Sequence, residues 1–372
     1  MQILIAPDKF KGSLTAVEVC DAIEDGLIKY DSTLQIQKLP LADGGEGSLE
    51  ILAPHLQLEP VSVKVQDPLG RTITASYMVA SDTAFIEMSA ASGLELLAAE
   101  ERHCMITSSR GTGQMMLDAY DKGIKNFVLF VGGSATNDGG IGILDALGVH
   151  AFGAAGPLSP VGKSLPEITG FDDSGCLVKG IEVTVVCDVQ NPLFGPQGAA
   201  FVYAPQKGAT PHELAFLDDG LQNMAHVVKS TRNISIDDFP GAGAAGGVAA
   251  GIKAFFPIKI QSGFGTIMQI VGLEAAVDRA DLVITGEGKF DHQTLQGKVV
   301  KGVYDLCQQA SKPLAVICGV LDLEQEELEP LDMLEIKPLV NEKVSIEQAQ
   351  ANAFQLVSQR AFELLEATQP LA

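Results

Sequence analysis

Tryptophan is absent from the 372 residues and aromatic residues make up only 6% of them; alanine and glycine, more than large aliphatics, raise the mean hydropathy. No apolar run approaches membrane-spanning length; the longest, such as Leu314-Ala-Val-Ile-Cys318, are strand-sized. The opening residues, Met1-Gln-Ile-Leu-Ile-Ala-Pro-Asp8, lack a basic stretch followed by a long apolar one, so no secretory signal is expected. The six cysteines are scattered and include no C-x-x-C pair, which argues against a disulfide framework or a zinc site and predicts a reducing, cytoplasmic setting. The six histidines form no metal-spaced pair, and none lies in a serine-hydrolase signature. Basic residues are also scarce: 25 Lys and Arg face 47 Asp and Glu, for a net charge of -22. Such a field repels nucleic acid and anionic membrane surfaces, so neither is expected as a partner. An anionic small substrate is repelled too, unless lysines, arginines or a bound cation are gathered at its site.

Apolar content of 46% is ample for a core, and the length suggests two domains. Strand Ile3–Pro7, a helix capped by Ser13 or Thr15 with a stripe of Val17, Val19, Ala22, Ile23 and Leu27, and strand Gln35–Leu39 have the rhythm of a parallel α/β sheet. Alternating segments at 61–65, 72–79 and 83–88 break that rhythm and predict an antiparallel meander. Further strands are expected at 126–131, 182–187 and 199–203, with helices at 113–122 and 211–229. The parallel rhythm returns beyond residue 265, with helix 267–279, strand 281–285, helix 298–310, strand 314–318 and a final helix over 346–365. The expected architecture is one doubly wound parallel sheet domain (1–60 plus 265–372) interrupted by an inserted α/β domain (61–264) with mixed and antiparallel strands.

In an open parallel sheet, ligands bind beyond the carboxyl ends of the strands. The polar residues that follow these strands are Asp8, Lys9 and Lys11; Asp43 and Glu46; and Glu287 and Asp291, and they are expected to converge on one edge. Asp43, Glu46 and Glu287 suit Mg²⁺, a hard cation that prefers oxygen ligands. Lys11 and Lys298 can offset the charge that spreads over phosphoryl oxygens during transfer. The stretch Thr285-Gly-Glu-Gly-Lys-Phe-Asp-His-Gln-Thr294 therefore supplies nucleotide-side candidates: Gly286, Glu287, Gly288, Asp291 and Thr294, with Lys298 beyond. His292 reads as a bystander.

Gly132-Gly-Ser-Ala-Thr-Asn-Asp-Gly-Gly140, between a strand and a helix, offers backbone N–H groups for an anion, with Ser134, Asn137 and Asp138 beside them. A capped turn is the competing reading, with Asn137 or Asp138 as the cap. No Walker A lysine follows. Gly241-Ala-Gly-Ala-Ala-Gly246 spells G-x-G-x-x-G, but no strand precedes it, so a Rossmann fingerprint is rejected in favour of a close-packed helix or a second anion site. Asp188 and Asn191 form another strand-end pair, and Asp188 could accept a substrate hydroxyl proton. Ser108, Arg110 and Thr112 could clasp a substrate carboxylate; helix capping and a structural salt bridge are the competing readings.

Taken in order, Ala6-Pro-Asp-Lys-Phe-Lys-Gly-Ser-Leu14, Ala42-Asp-Gly-Gly-Glu-Gly47, the 132–140 loop, Cys187-Asp-Val-Gln-Asn-Pro-Leu193, Gly241–Gly247 and Thr285–Thr294 resemble the bacterial glycerate kinases of the type-2 family. The resemblance covers essentially the whole chain. It implies Mg²⁺- and ATP-dependent phosphorylation of D-glycerate, with 2-phosphoglycerate the usual product and 3-phosphoglycerate also associated with the family name. It also implies two α/β domains, one of them flavodoxin-like, with the active site in the cleft between them. The partners expected are glycerate and ATP, and a homo-oligomer is compatible with the resemblance.

From strand-end geometry, Asp188, Lys11, Lys298 and Asp43 are the expected catalytic residues. Asp8, Lys11, Arg110, Ser134, Asn137, Asp138 and Asn191 are the expected glycerate contacts. An alternative is a non-catalytic sugar-acid-binding regulator on the same fold; the clustered acids and lysines argue against it. A nicotinamide oxidoreductase is disfavoured by the missing fingerprint.

Overall fold

The segment Gln2–Ile5 is a strand because Ile3, Leu4 and Ile5 are all buried, which requires both faces of the sheet to be covered. It is an interior strand, next to one edge, of a five-stranded sheet ordered Glu335–Pro338, Leu314–Leu321, Leu282–Phe290, Gln2–Ile5, Gln35–Lys38. Every neighbouring pair is parallel. The computed structural model describes residues 1–292, 294–296 and 299–368, apart from the side chains of Gln296 and Thr368. Lys298 lies outside the described residues.

Two compact units divide the chain. The first comprises Met1–Asp43, Glu50–His55 and Phe264–Ala372. On one face of its sheet, Ile3, Ile5, Ile284, Ala315 and Ile317 pack under helices Ala16–Tyr30 and Ala353–Thr368 through Val19, Ile23, Leu27, Val357, Ala361 and Leu364. On the other face, Phe290, Val316 and Cys318 meet Val300 of helix Val299–Ala310. Each such buried aliphatic or aromatic side chain contributes about 1.5–3 kcal/mol. Helix Ala16–Tyr30 starts at Thr15, whose hydroxyl accepts from Glu18 N–H while the Glu18 carboxylate accepts from Thr15 N–H. Its inward stripe is Ala16, Val19, Cys20, Ala22, Ile23, Gly26 and Leu27; Val17, expected in the stripe, is exposed.

The second unit comprises Gly44–Leu49 and Leu56–Gly263. Its six-stranded sheet runs Ile258–Gln261, Glu182–Val186, Asn126–Phe130, Thr83–Glu87, Thr72–Ala80, Glu59–Gln66. The first four are parallel neighbours. The last two join as the antiparallel meander that alternation predicted. The parallel edge strand Ile258–Gln261 was not expected, nor was a small sheet of His150–Gly153, Gly156–Pro157 and Gly170–Asp172.

Several element assignments need correction. Ala199–Tyr203, expected as a strand, is a helical turn. Ala199, Ala200 and Ala204 are buried while Phe201 and Val202 are exposed, a helical rather than an alternating pattern. The expected helix 267–279 is two helices, Gly263–Val271 and Leu273–Arg279, broken at Gly272 with φ +72°. The expected helix 346–365 likewise divides at Asn352 into Ile346–Ala351 and Ala353–Thr368. Strand 281–285 does not stop at its glycines but runs to Phe290. Among the described residues, no helix is long and apolar enough to cross a membrane, and none of the six cysteines is in a disulfide.

Candidate active site

Numbered within the first unit alone, its strands follow the order 2-1-3-4-5, which reverses between Gln2–Ile5 and Leu282–Phe290. In doubly wound sheets this reversal opens the crevice where ligands bind. Backbone bonds carry three chain segments side by side past the strand ends. Leu39 N–H donates to Ile5 O, Leu41 N–H to Pro7 O, Ala6 N–H to Ile284 O and Asp8 N–H to Gly286 O, each at 2.8 Å. The hydroxyl of Thr285 ties the same edge by donating to Ala6 O at 2.7 Å. Asp8, Asp43 and Glu287 follow directly along these segments.

Asp8 feels the other two carboxylates. Burial, followed by the field of Asp43, holds the Asp8 carboxyl well above the usual carboxylate range, and Glu287 adds to the rise. Lys9 opposes it, through its N–H bonded to Asp8 Oδ1 at 2.7 Å and through its charge. Glu287 is itself buried at 6% exposure. Glycine is sterically required at 286, where a Cβ would stand 2.1 Å from Ile317 O, and a Cβ on Gly288 would make a tight contact at 3.0 Å with Lys11 N. The loop carrying Lys11 therefore lies directly over Gly288.

Beyond the strand, Asp291 pairs with Lys289, which also meets Asp322. Thr294 is buried, and its hydroxyl accepts from Asp291 N–H. Lys298, the cation expected here, falls outside the described residues. Glu46 does not travel with Asp43: it is exposed, on the segment Gly44–Leu49 that packs with the second unit.

In the second unit, strand Asn126–Phe130 leads into the 132–140 loop and then helix Ile141–Ala146. Ser134, Thr136, Asn137 and Asp138 are all buried. The Asp138 carboxylate is turned inward, accepting from Ser109 N–H and Oγ at 2.8 Å, Gly140 N–H at 3.0 Å and Gly142 N–H at 3.3 Å. These bonds close the turn from inside, although the N-cap of helix Ile141–Ala146 is Gly140 rather than Asn137 or Asp138, and burial raises the Asp138 carboxyl. Asn137 is fully buried, and neither Nδ2 nor Oδ1 finds a protein partner. Of the 241–247 glycines, Gly246 and Gly247 pack against this loop, and a Cβ on Gly246 would stand 2.3 Å from Thr136 O; Gly241 and Gly243 lie against Val189 and Pro192 instead.

Arg110 forms an ion pair with Asp145, the structural bridge that the sequence also allowed. Ser108 Oγ accepts from Arg110 N–H, and Thr112 shares a hydrogen bond with Ser92. Asp188 Oδ1 accepts from Ser262 Oγ at 2.6 Å and Gly263 N–H at 2.9 Å. Asn191 donates to Gln197 O and accepts from Tyr203 Oη. Sequence reasoning missed Lys207, whose buried ammonium reaches into the 132–140 loop. A lone Lys-Gly pair in a turn offers no signal for it.

The model of the glycerate kinase family matches residues 3–369. The chain is 42% identical over 326 residues to the Glycerate 2-kinase of Escherichia coli (strain K12), covering 86% of each. It is 39% identical over 364 residues to the Glycerate kinase of Halalkalibacterium halodurans, covering 96% of each. A solved structure described as a putative glycerate kinase 2 from Salmonella typhimurium LT2 superposes with a TM-score of 0.79 at 38% identity, over 100% of both chains. With the match running almost end to end, this chain belongs to the glycerate kinase family.

Proposed function

We propose that the protein transfers the γ-phosphoryl group of ATP to a hydroxyl of D-glycerate, giving 2-phosphoglycerate. Family membership supports a glycerate kinase, and the name of the Escherichia coli relative favours the 2-position. The observation that carries the reading is the placement of Asp8, Asp43 and Glu287 at the reversal of sheet order.

Among the described residues, no three His, Cys, Asp or Glu side chains are close enough to hold a metal ion together. Mg²⁺ commonly takes only one or two carboxylates and completes its shell with water and substrate phosphates. A carboxylate cluster in which burial, and then the charges of Asp43 and Glu287, raise Asp8 fits such a cation, with Glu287 and Asp43 as the assigned ligands. When bound, Mg²⁺ neutralises phosphate charge as it develops.

The remaining chemistry falls to the chain's own groups. Lys11, over Gly288, offsets charge on the transferred group. Gly286, Glu287, Gly288, Asp291 and Thr294 line the nucleotide side. Asp188, held at Oδ1 by Ser262 and Gly263, orients the attacking hydroxyl and takes its proton. Ser134 and Asn137 hold the glycerate carboxylate.

The test is ADP release from ATP with D-glycerate, with and without Mg²⁺, followed by proton-coupled phosphorus NMR of the product. Phosphate on C2 couples to one proton and gives a doublet, whereas phosphate on C3 couples to two and gives a triplet. A triplet overturns the 2-position, and no glycerate-dependent ADP release overturns the activity.

A further inference from the structure

Lys207 is 3% exposed, and its Nζ donates to Ser134 Oγ at 2.8 Å and to Thr136 O at 2.7 Å. Both acceptors belong to the 132–140 loop, although the contacts span 73 and 71 residues of sequence. The lysine's own main chain is tied down as well, its carbonyl accepting from Cys104 N–H at 3.0 Å. Both oxygens that Nζ meets are neutral, a poor substitute for water around a buried ammonium. The charged and titratable groups facing it are Asp138 on the loop and the Cys104 thiol. Burial pushes Cys104 up to about 11 and Lys207 down to about 8.

Retaining an ammonium at such a place calls for a use. A lysine ammonium only donates, so Ser134 Oγ must accept, and its own proton is directed elsewhere as a donor. The ammonium also polarises that hydroxyl, strengthening the bond it can give to an anion. Beside it the Asn137 amide is fully buried with Nδ2 and Oδ1 both unpaired, and Thr136 Oγ1 is unpaired too. Native interiors rarely leave such groups without partners. Two neighbouring residues of one loop thus hold polar capacity that the protein does not use.

We propose that Lys207 is a positioning residue, which braces the 132–140 loop and sets the Ser134 hydroxyl as a donor to the carboxylate of the substrate. This rests on the glycerate reading above and adds to it the residue that shapes the acid-binding loop. Lys207 touches no reacting atom. It acts through Ser134, so removing either partner should remove the same effect.

The experiment uses Lys207→Met, Ser134→Ala and the double variant of the full chain. Each is assayed for kcat and for KM of both substrates, with amide hydrogen exchange over 132–140. Each single variant should raise KM for D-glycerate about tenfold and change KM for ATP less than about twofold, with the double variant no worse than either. Exchange over 132–140 should quicken in Lys207→Met. In the wild type, KM for glycerate should rise as pH passes about 8, where Lys207 gives up its proton, and the variant should lack that rise. Additive effects, or an unchanged KM in both single variants, overturn the proposal.

If Lys207→Met does not fold, Ser134→Ala alone decides, and a wild-type KM for glycerate in it overturns the proposal. If the wild type releases no ADP with glycerate, the activity reading fails by itself. The exchange measurement then still judges the brace, and unchanged exchange over 132–140 overturns it.

Discussion

The Asp8 N–H donates to the Gly286 carbonyl at 2.8 Å, and this bond sets the Asp8 and Glu287 carboxylates on adjacent chain segments at the reversal of sheet order. Like charges so placed work against the fold, because each raises the cost of ionising the other. A site that retains them trades stability for chemistry.

Asp8→Asn should therefore lower kcat by about 100-fold while leaving the melting temperature unchanged or higher. The sign of its pH dependence follows from the raised carboxyl. A group whose pKa is higher folded than unfolded lends stability below its unfolded value, about 3.9, and loses that contribution as pH rises through the folded value. Urea unfolding from pH 3 to pH 7 should show this fall in the wild type relative to Asp8→Asn. Parallel curves would sink the account.

Lys207 gives the opposite slope. Its pKa is lowered from 10.5 to about 8 by burial. Stability is thus withheld below pH 8 and recovered as pH rises toward the unfolded value, because the unfolded chain binds the extra proton in that window. Replacement by Met lifts that burial cost but also removes the donor to Ser134 Oγ and Thr136 O, so any gain over the wild type should be largest below pH 8. The gain should shrink steadily between pH 8 and 10.5. A destabilised Lys207→Met at pH 7 would instead mark the ammonium as a net support of the fold.

Thr15→Ala removes one half of a reciprocal cap from helix Ala16–Tyr30. The expected loss is about 1 kcal/mol, visible as a lower denaturant midpoint, with kcat and KM unchanged. A change in turnover would show that the loop from Asp8 to Leu14 is strung more tightly to this helix than the cap alone implies.

Gly246→Ala should injure the loop from behind. The residue has φ +72°, and the added methyl would stand 2.3 Å from Thr136 O. Conformational strain of about 1–3 kcal/mol is expected before any clash is relieved. KM for glycerate should rise while KM for ATP holds, as kinetics with each substrate varied in turn would reveal.

Much of this was legible in the sequence because the relevant signals are local. Ile3–Ile5 and Leu282–Ile284 read as buried strands from composition, and Asp8, Asp43 and Glu287 were picked out by standing just beyond strand ends. What escaped depended on tertiary partners. The run 199–203 became helical because Ala199, Ala200 and Ala204 needed to face the core together. The strand through Gly286 and Gly288 could not be foreseen, since it exists only by pairing with Leu314–Leu321, where Glu287 sits opposite Cys318. Lys207 looked like any turn lysine until the fold laid it against Ser134. Arg110 could be read as an anion clasp or as a salt-bridge partner, and the sequence offered no means of finding Asp145 beside it.

The pairing of Ile3 with Leu282 has a consequence for synthesis. Strand Gln2–Ile5 can pair early with Gln35–Lys38, but its other neighbour, Leu282–Phe290, comes far later in the sequence. The mixed sheet of the second unit, complete by Gln261, is available to fold well before then. Until then this part of the sheet is a two-stranded piece, with Ile3 and Ile5 covered by helix Ala16–Tyr30 but not yet by Ala353–Thr368. Folding of the first unit is obliged to be late, which makes it the part that chaperones have most reason to hold.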